Sequence, residues 1–188
     1  MGFDIHRGLG AFRRDGAGRQ PPLVLVGEGV LAGLAGTAAM TLGQTRLLPR
    51  LPIPDGPKPR KQPNYPDEFV AKGEPATETA ARRIAAGLAH RPLTDRQKKF
   101  AGNVLHFAFG AAWGGVLALL GRRPTIARGL LFGAAVWMIS DNGIVPLLRI
   151  ASWPNRYPPG VHAKALLAHL IYGAGTALTL RRLMPAPR

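Results

Sequence analysis

The sequence predicts an all-α protein: a four-helix transmembrane bundle with a Pro-rich extramembrane loop and a short amphipathic helix. Three observations carry this. Residues 100–121 run for 22 positions without Asp, Glu, Lys or Arg, in a chain whose formal net charge is +15. Three more segments are almost as bare: only Glu28 lies between Arg19 and Arg46, only Asp141 between Arg128 and Arg149, and no charge between Lys164 and Arg181. Basic residues crowd the borders, as at Lys98, Lys99, Arg122 and Arg123. A bilayer core asks for about 20 mostly apolar residues in a helix, and Lys and Arg at its borders anchor to anionic headgroups.

The mean hydropathy of +0.03 hides this segregation, and 188 residues suffice for one domain. There is no cysteine, which excludes disulfides, thiolate metal sites and a cysteine nucleophile. A pI near 11.6 suggests nucleic acid. The Lys and Arg residues instead flank apolar segments, and no helix-turn-helix, zinc-finger or RNP-type pattern occurs, so nucleic acid is not the expected partner. The expected partner is a bilayer with anionic headgroups, with a second copy of the chain or another membrane protein beside it.

In chain order, residues 1–22 read as a flexible basic tail ending at Pro21-Pro22, which blocks a helix from upstream. The first span covers 23–46 and lines Gly29, Gly33 and Gly36 along one face, a spacing that lets helices approach closely in lipid. A cleaved signal peptide is the rival reading, and Glu28 inside the apolar run argues against it. Prolines at 49, 52, 54, 57, 59, 63 and 66 stiffen a basic linker over 47–74. It reads first as a solvated connector, with a strap along an anionic membrane surface or a partner-binding arm as the functional alternative. Residues 75–91 form a short amphipathic helix with a weak Ala-rich side, suited to the interface or to packing on the membrane domain. After Pro92, Thr94 and Gln97 form a capping box. Spans two, three and four cover about 100–121, 126–149 and 161–182 within a membrane domain over 23–183, and a tail follows at 184–188. Asn142-Gly143 and Pro146 should weaken the end of span three. Span four has only 16 uncharged residues, roughly 24 Å of helix against a roughly 30 Å core.

Three polar residues interrupt the spans at informative places. His106, Gly110 and Gly114 step by four, as do Gly129, Gly133 and Asp141 with Trp137 between, and His169 and Gly173. Each polar group thus shares a small-residue face suited to helix contact. The up-and-down topology puts His106, Asp141 and His169 in one half of the membrane, joined by Gln44 and His162, with Glu28 in the other half. Three readings compete. The leading one is structural, with Asp141 accepting hydrogen bonds from a histidine and Asn142. The second is a proton-sensitive or solute-coupled site, because histidine titrates near neutral pH. The third is a metal site of two histidines and one aspartate, with no short His pair to pre-form it. No Gly-x-Ser-x-Gly or Walker pattern occurs, so the expectation is a non-enzyme without cofactor or resident metal.

These residues resemble the small YagU-like bacterial inner-membrane proteins, a family of unknown function. The likeness rests on the run from Gly33 through Thr37 to Met40, on Leu93-Thr94-Asp95 with Gln97, on His106 followed by Gly110, on Asp141, Gly143 and Pro146, and on His162 with His169-Leu170-Ile171-Tyr172-Gly173. It implies a multi-pass location in the bacterial inner membrane and carries over no reaction. The expected role is structural or regulatory in the envelope. The alternatives are a small transporter or proton-responsive channel using the His/Asp cluster and, third, a membrane-embedded metal-dependent enzyme.

Overall fold

The structure, a computed structural model, describes residues 21–57, 74–120 and 124–184. The N-terminal tail, the basic tract at 58–61 and the C-terminal tail from 185 lie outside the described residues. Among the described residues every regular element is helical: α1 (Pro22–Leu42), α2 (Ala76–Ala89), α3 (Asp95–Leu119), α4 (Ile126–Ile139), α5 (Val145–Leu147) and α6 (Pro159–Leu183). Four helices are long and apolar enough to cross a membrane: Pro22–Arg50, Asp95–Leu119, Ile126–Leu147 and Pro159–Leu183. Leu31, Phe100, Val116, Leu131, Met138 and Leu178 stay exposed on them. Exposed apolar residues of this size suit lipid far better than water, so the fold is compatible with a multi-pass membrane protein.

Local chemistry sets the helix ends. Pro22 occupies the first turn of α1, where its missing N–H costs nothing. The capping box opens α3: Thr94 N donates to Gln97 Oε1 at 2.9 Å, and Gln97 N donates to Thr94 Oγ1 at 3.3 Å. Span four is longer than its uncharged stretch. α6 has 25 residues, about 37 Å, because Pro159 starts it ahead of Lys164 and Arg181 and Arg182 finish it. Lys164 also has a partner outside the apolar run, Asp55 Oδ1 at 2.8 Å.

α1 and α6 form the central pair; α3 packs on α1 and α4 on α6. Glycine makes these approaches close. A Cβ on Gly29 would fall 2.6 Å from Gly114 O, and one on Gly33 would strike Gly110 O. On the other side Gly129 and Gly133 meet Gly173 and the His169 carbonyl. Between the central helices Gly36 lies against Thr176 and the Tyr172 carbonyl. The buried hydroxyls at these seams are satisfied within their own helices, Thr37 donating to Gly33 O and Thr176 to Tyr172 O, each at 2.8 Å.

The two halves of the chain repeat one another. α1 runs into a π turn (Gly43–Leu47) and α4 into a second (Ser140–Ile144), where Leu48 N bonds to Gly43 O and Val145 N to Ser140 O. Pro49 and Pro146 each stand six residues after the first residue of their turn. A proline in a helix donates no hydrogen bond and crowds the carbonyl four residues back; widening the preceding turn relieves that crowding. Thus Asn142-Gly143-Pro146 bends span three without ending it. The second helix of each half is 25 residues long and carries the same pattern, His106-Gly110-Gly114 in α3 and His169-Gly173-Ala177 in α6, each stepping by four.

The linker is tied down where it is described. Leu48 is buried with Leu51 against it, and Gly160 N donates to Asp55 O at 3.0 Å. Asp55 thus ties the described part of the linker to the start of α6, while Pro52 and residues 54–57 stay exposed. α2 packs on α3 at Gly102, where a Cβ would fall 2.9 Å from Glu78 Cγ. Arg83 Nη1 donates to Leu148 O at 2.7 Å, so α2 bridges α3 and the end of α5. Glu74 fixes its other end: it accepts from Thr79 Oγ1 at 2.9 Å and pairs with Arg82 at 3.4 Å and Lys98 at 3.5 Å.

Burial alone would push the Glu74 carboxyl up, but the Thr79 hydrogen bond and the Arg82 and Lys98 charges together hold it below its ordinary value of 4.5. A carboxylate whose pKa falls on folding contributes its full stabilisation above the ordinary value and loses it as pH drops through the lowered one. Hydrogen exchange should therefore show α2 docked at neutral pH and opening in acid below that value. Glu74→Gln should loosen α2 at neutral pH by about 1.5–3 kcal/mol, the worth of hydrogen bonds to a charged group. Equal α2 protection in both proteins at neutral pH would defeat this assignment.

Candidate intramembrane site

The repeat predicts two equivalent contacts between halves, α1 with α6 and α3 with α4. They differ. The first closes through Gly36 and Gly175, where a Cβ on Gly175 would lie 3.3 Å from Gly36 Cα. The second is held by side chains, Trp113 and Phe132 meeting edge to face with ring centroids 6.0 Å apart. Beyond them opens a cavity of about 650 Å³. Thr37, Met40, Thr41 and Gln44 line it from α1, and Ala165, His169 and Tyr172 from α6. Residues 75–84 of the α2 region contribute Pro75, Ala76, Thr77, Ala80 and Ile84.

His106, Asp141, His169 and Gln44 all line this cavity, with Asn103 beside them. The repeat explains the grouping. Gln44 and Asp141 are each the second residue of a π turn, and His106 and His169 are equivalent positions of α3 and α6. The first half places a neutral amide where the second places a carboxylate. His162 stands apart. One turn into α6, its Nε2 lies 2.8 Å from Pro154 O and its ring meets Trp137 and Tyr157 edge-on, so it braces the interfacial loop.

The tautomer of His169 follows from its partners. Nδ1 lies 2.9 Å from Ala165 O, an acceptor only, so Nδ1 carries a proton and donates. Nε2 then faces Asp141 Oδ1 at 3.8 Å. That is too long for a hydrogen bond. With Nε2 bare, a lone pair confronts a carboxylate; with Nε2 protonated, an imidazolium faces it. Asn142 does not share Asp141, because its Nδ2 donates to Trp137 O at 3.1 Å inside the same helix. This corrects the hydrogen-bonded form of the structural reading.

A metal ion needs several ligands converging on one point about 2 Å away. Among the described residues no group of three His, Asp or Glu does so. Asp141 and His169 converge, while His106 lines the cavity from α3 without joining them. The two-histidine, one-aspartate metal reading has no support in this geometry.

Four contributors escaped the sequence reading. Ser140, among the lining residues, is fully buried and its Oγ has no hydrogen-bond partner among the described residues. Tyr172 donates its hydroxyl to Gly110 O at 2.7 Å and so ties α6 to α3. Its position three residues after His169, on the same helix face, was the available signal. Trp113 and Phe109, centroids 6.1 Å apart, make an aromatic end to the cavity. Glu28 is half-buried on α1 and does not line it. No protein-family model, curated protein or solved structure matches the chain.

Proposed function

We propose that the chain is a multi-pass protein of the bacterial inner membrane, of the YagU-like kind, that binds a small amphipathic molecule inside its bundle and responds to protons there. The observation that carries this reading is the His169–Asp141 pair standing in the wall of a cavity of about 650 Å³. That volume lies in the range of small-molecule sites, which are mostly apolar with a few convergent polar groups. A purely structural pair would close to hydrogen-bond distance and fill the space beside it, since such voids cost packing energy. Binding of this kind serves either a transport or a regulatory role in the envelope.

The test uses Trp113 as reporter in full-length protein in nanodiscs, with Trp137 and Trp153 changed to Phe. A neutral aryl bromide, 4-bromobenzyl alcohol, should quench Trp113 saturably. Thr41→Phe, which fills part of the cavity wall, should abolish the saturable component. Linear quenching, identical in both proteins, would show partition into lipid and defeat the proposal.

A further inference from the structure

The charges around the cavity point to the occupant's chemistry. The protein carries a formal net charge of +15, yet among the described residues no Lys or Arg lines the cavity and Asp141 is the one carboxylate that does. We infer that the occupant is a hydrophobic organic cation with one positive charge, held against Asp141 and exchanged for a proton on His169. This rests on the binding function proposed above and names its ligand class.

The electrostatics decide among three classes of ligand. An anion would bring like charge to a carboxylate in surroundings of low polarity, where repulsion is strong. A neutral molecule would leave the Asp141 carboxylate, whose side chain is 41% exposed, without a counter-charge whenever His169 is neutral. A cation supplies one. The other end of the cavity suits the rest of such a molecule, because Phe109, Trp113 and Tyr172 offer aromatic rings to apolar groups and to positive charge.

The proton coupling follows from the His169 tautomer. With Nδ1 committed to Ala165 O, any second proton goes to Nε2, directly facing Asp141. The imidazolium then occupies the carboxylate that the cation needs. Cation binding displaces one proton, which leaves Nε2 for solvent. The groups facing Asp141 from each packed element are few. α6 brings His169 and α3 brings His106. α1 brings the uncharged Thr41 and the π turn after it Gln44, and among the described residues the α2 region brings no ionisable lining residue. Arg82 and Arg83 are engaged with Glu74 and the Leu148 carbonyl. Arg46 and Arg149 do not line the cavity.

The experiment compares two ions of one shape and opposite sign, tetraphenylphosphonium and tetraphenylborate. The full chain is held in nanodiscs of zwitterionic lipid, with 4-bromobenzyl alcohol as the neutral reference. The phosphonium should bind saturably at about pH 8 and roughly tenfold more weakly at about pH 5.5, across the range where histidine titrates. One proton should be released per cation bound at the lower pH. The borate should show no saturable binding. Asp141→Asn should weaken the phosphonium roughly tenfold, about 1.4 kcal/mol, while Asp141→Glu restores the cation. His169→Gln should keep cation binding and lose its pH dependence. Borate binding as tight as phosphonium, or indifference of the phosphonium to Asp141→Asn, would overturn the cation assignment while alcohol binding preserved the site. Failure of all three probes would instead remove the binding function.

Discussion

Gly33→Leu should separate α1 from α3 and cost about 3 kcal/mol or more of stability. Even the first added carbon of a side chain at Gly33 would strike the Gly110 carbonyl, a backbone atom with no rotamer to yield. Overpacking a tight interface costs about 1–3 kcal/mol, more where backbone must move. Helices in lipid also depend on close van der Waals packing, having no hydrophobic drive between them. Gly27→Leu on the same helix is the control, because a Cβ there meets nothing within 4 Å. It should change stability by less than about 0.5 kcal/mol. Unfolding of both variants in mixed micelles by circular dichroism checks the contrast. Equal losses would mean that an effect common to both positions, and not the α1–α3 seam, dominates.

That seam was legible in the sequence because its signal is periodic. Gly29 and Gly33, Gly110 and Gly114, and Gly129 and Gly133 fall at spacings of four, which fixes a face whatever the partner helix. The capping box at Thr94 was legible because it is local, two side chains three residues apart. The pairing of faces was not. It depends on which helices become neighbours, and α6 lies against both α1 and α4. The repeat was written in the sequence as a histidine with small residues at steps of four, twice, and as two prolines at equal distances beyond π turns. The turns themselves hid it, since a π turn has no residue signature and appears only in the backbone.

The candidate site was legible by class and not by contact. An ionisable group in a span is costly and usually faces the bundle interior, which singled out His106, Asp141 and His169 and grouped them by depth. Depth places residues in a layer without saying which are adjacent. His162 shares that layer yet turns to the Pro154 carbonyl. Asn142, next to Asp141 in sequence, bonds to Trp137 O instead. The cavity was invisible because it arises from a break in the repeat: the α1–α6 contact closes on glycine while Trp113 and Phe132 prop α3 and α4 apart.

Tyr172→Ala should cost about 3–5 kcal/mol, the range for removing a buried aromatic ring, and Tyr172→Phe only about 0.6–1.5 kcal/mol, the worth of one hydrogen bond inside a membrane bundle. Tyr172 is 2% exposed and packs in the cluster of Met40, Leu48, Val136 and Ala168, so its ring holds residues of α1, α4 and α6 together. Its hydroxyl does something different. It reaches Gly110 O on α3, at the point where Gly110 also meets Thr37 of α1. The two substitutions therefore separate two roles. Loss of the ring should unfold the bundle at much lower denaturant. Loss of the hydroxyl should leave the fold intact and free α3 to shift beside the cavity, which saturable quenching of Trp113 by 4-bromobenzyl alcohol would register as weaker binding. Unchanged quenching in Tyr172→Phe would mean that the Gly33–Gly110 seam alone fixes α3. Weakened quenching with nearly native stability would place the hydroxyl among the groups that hold the cavity's shape, a role that burial alone does not assign it.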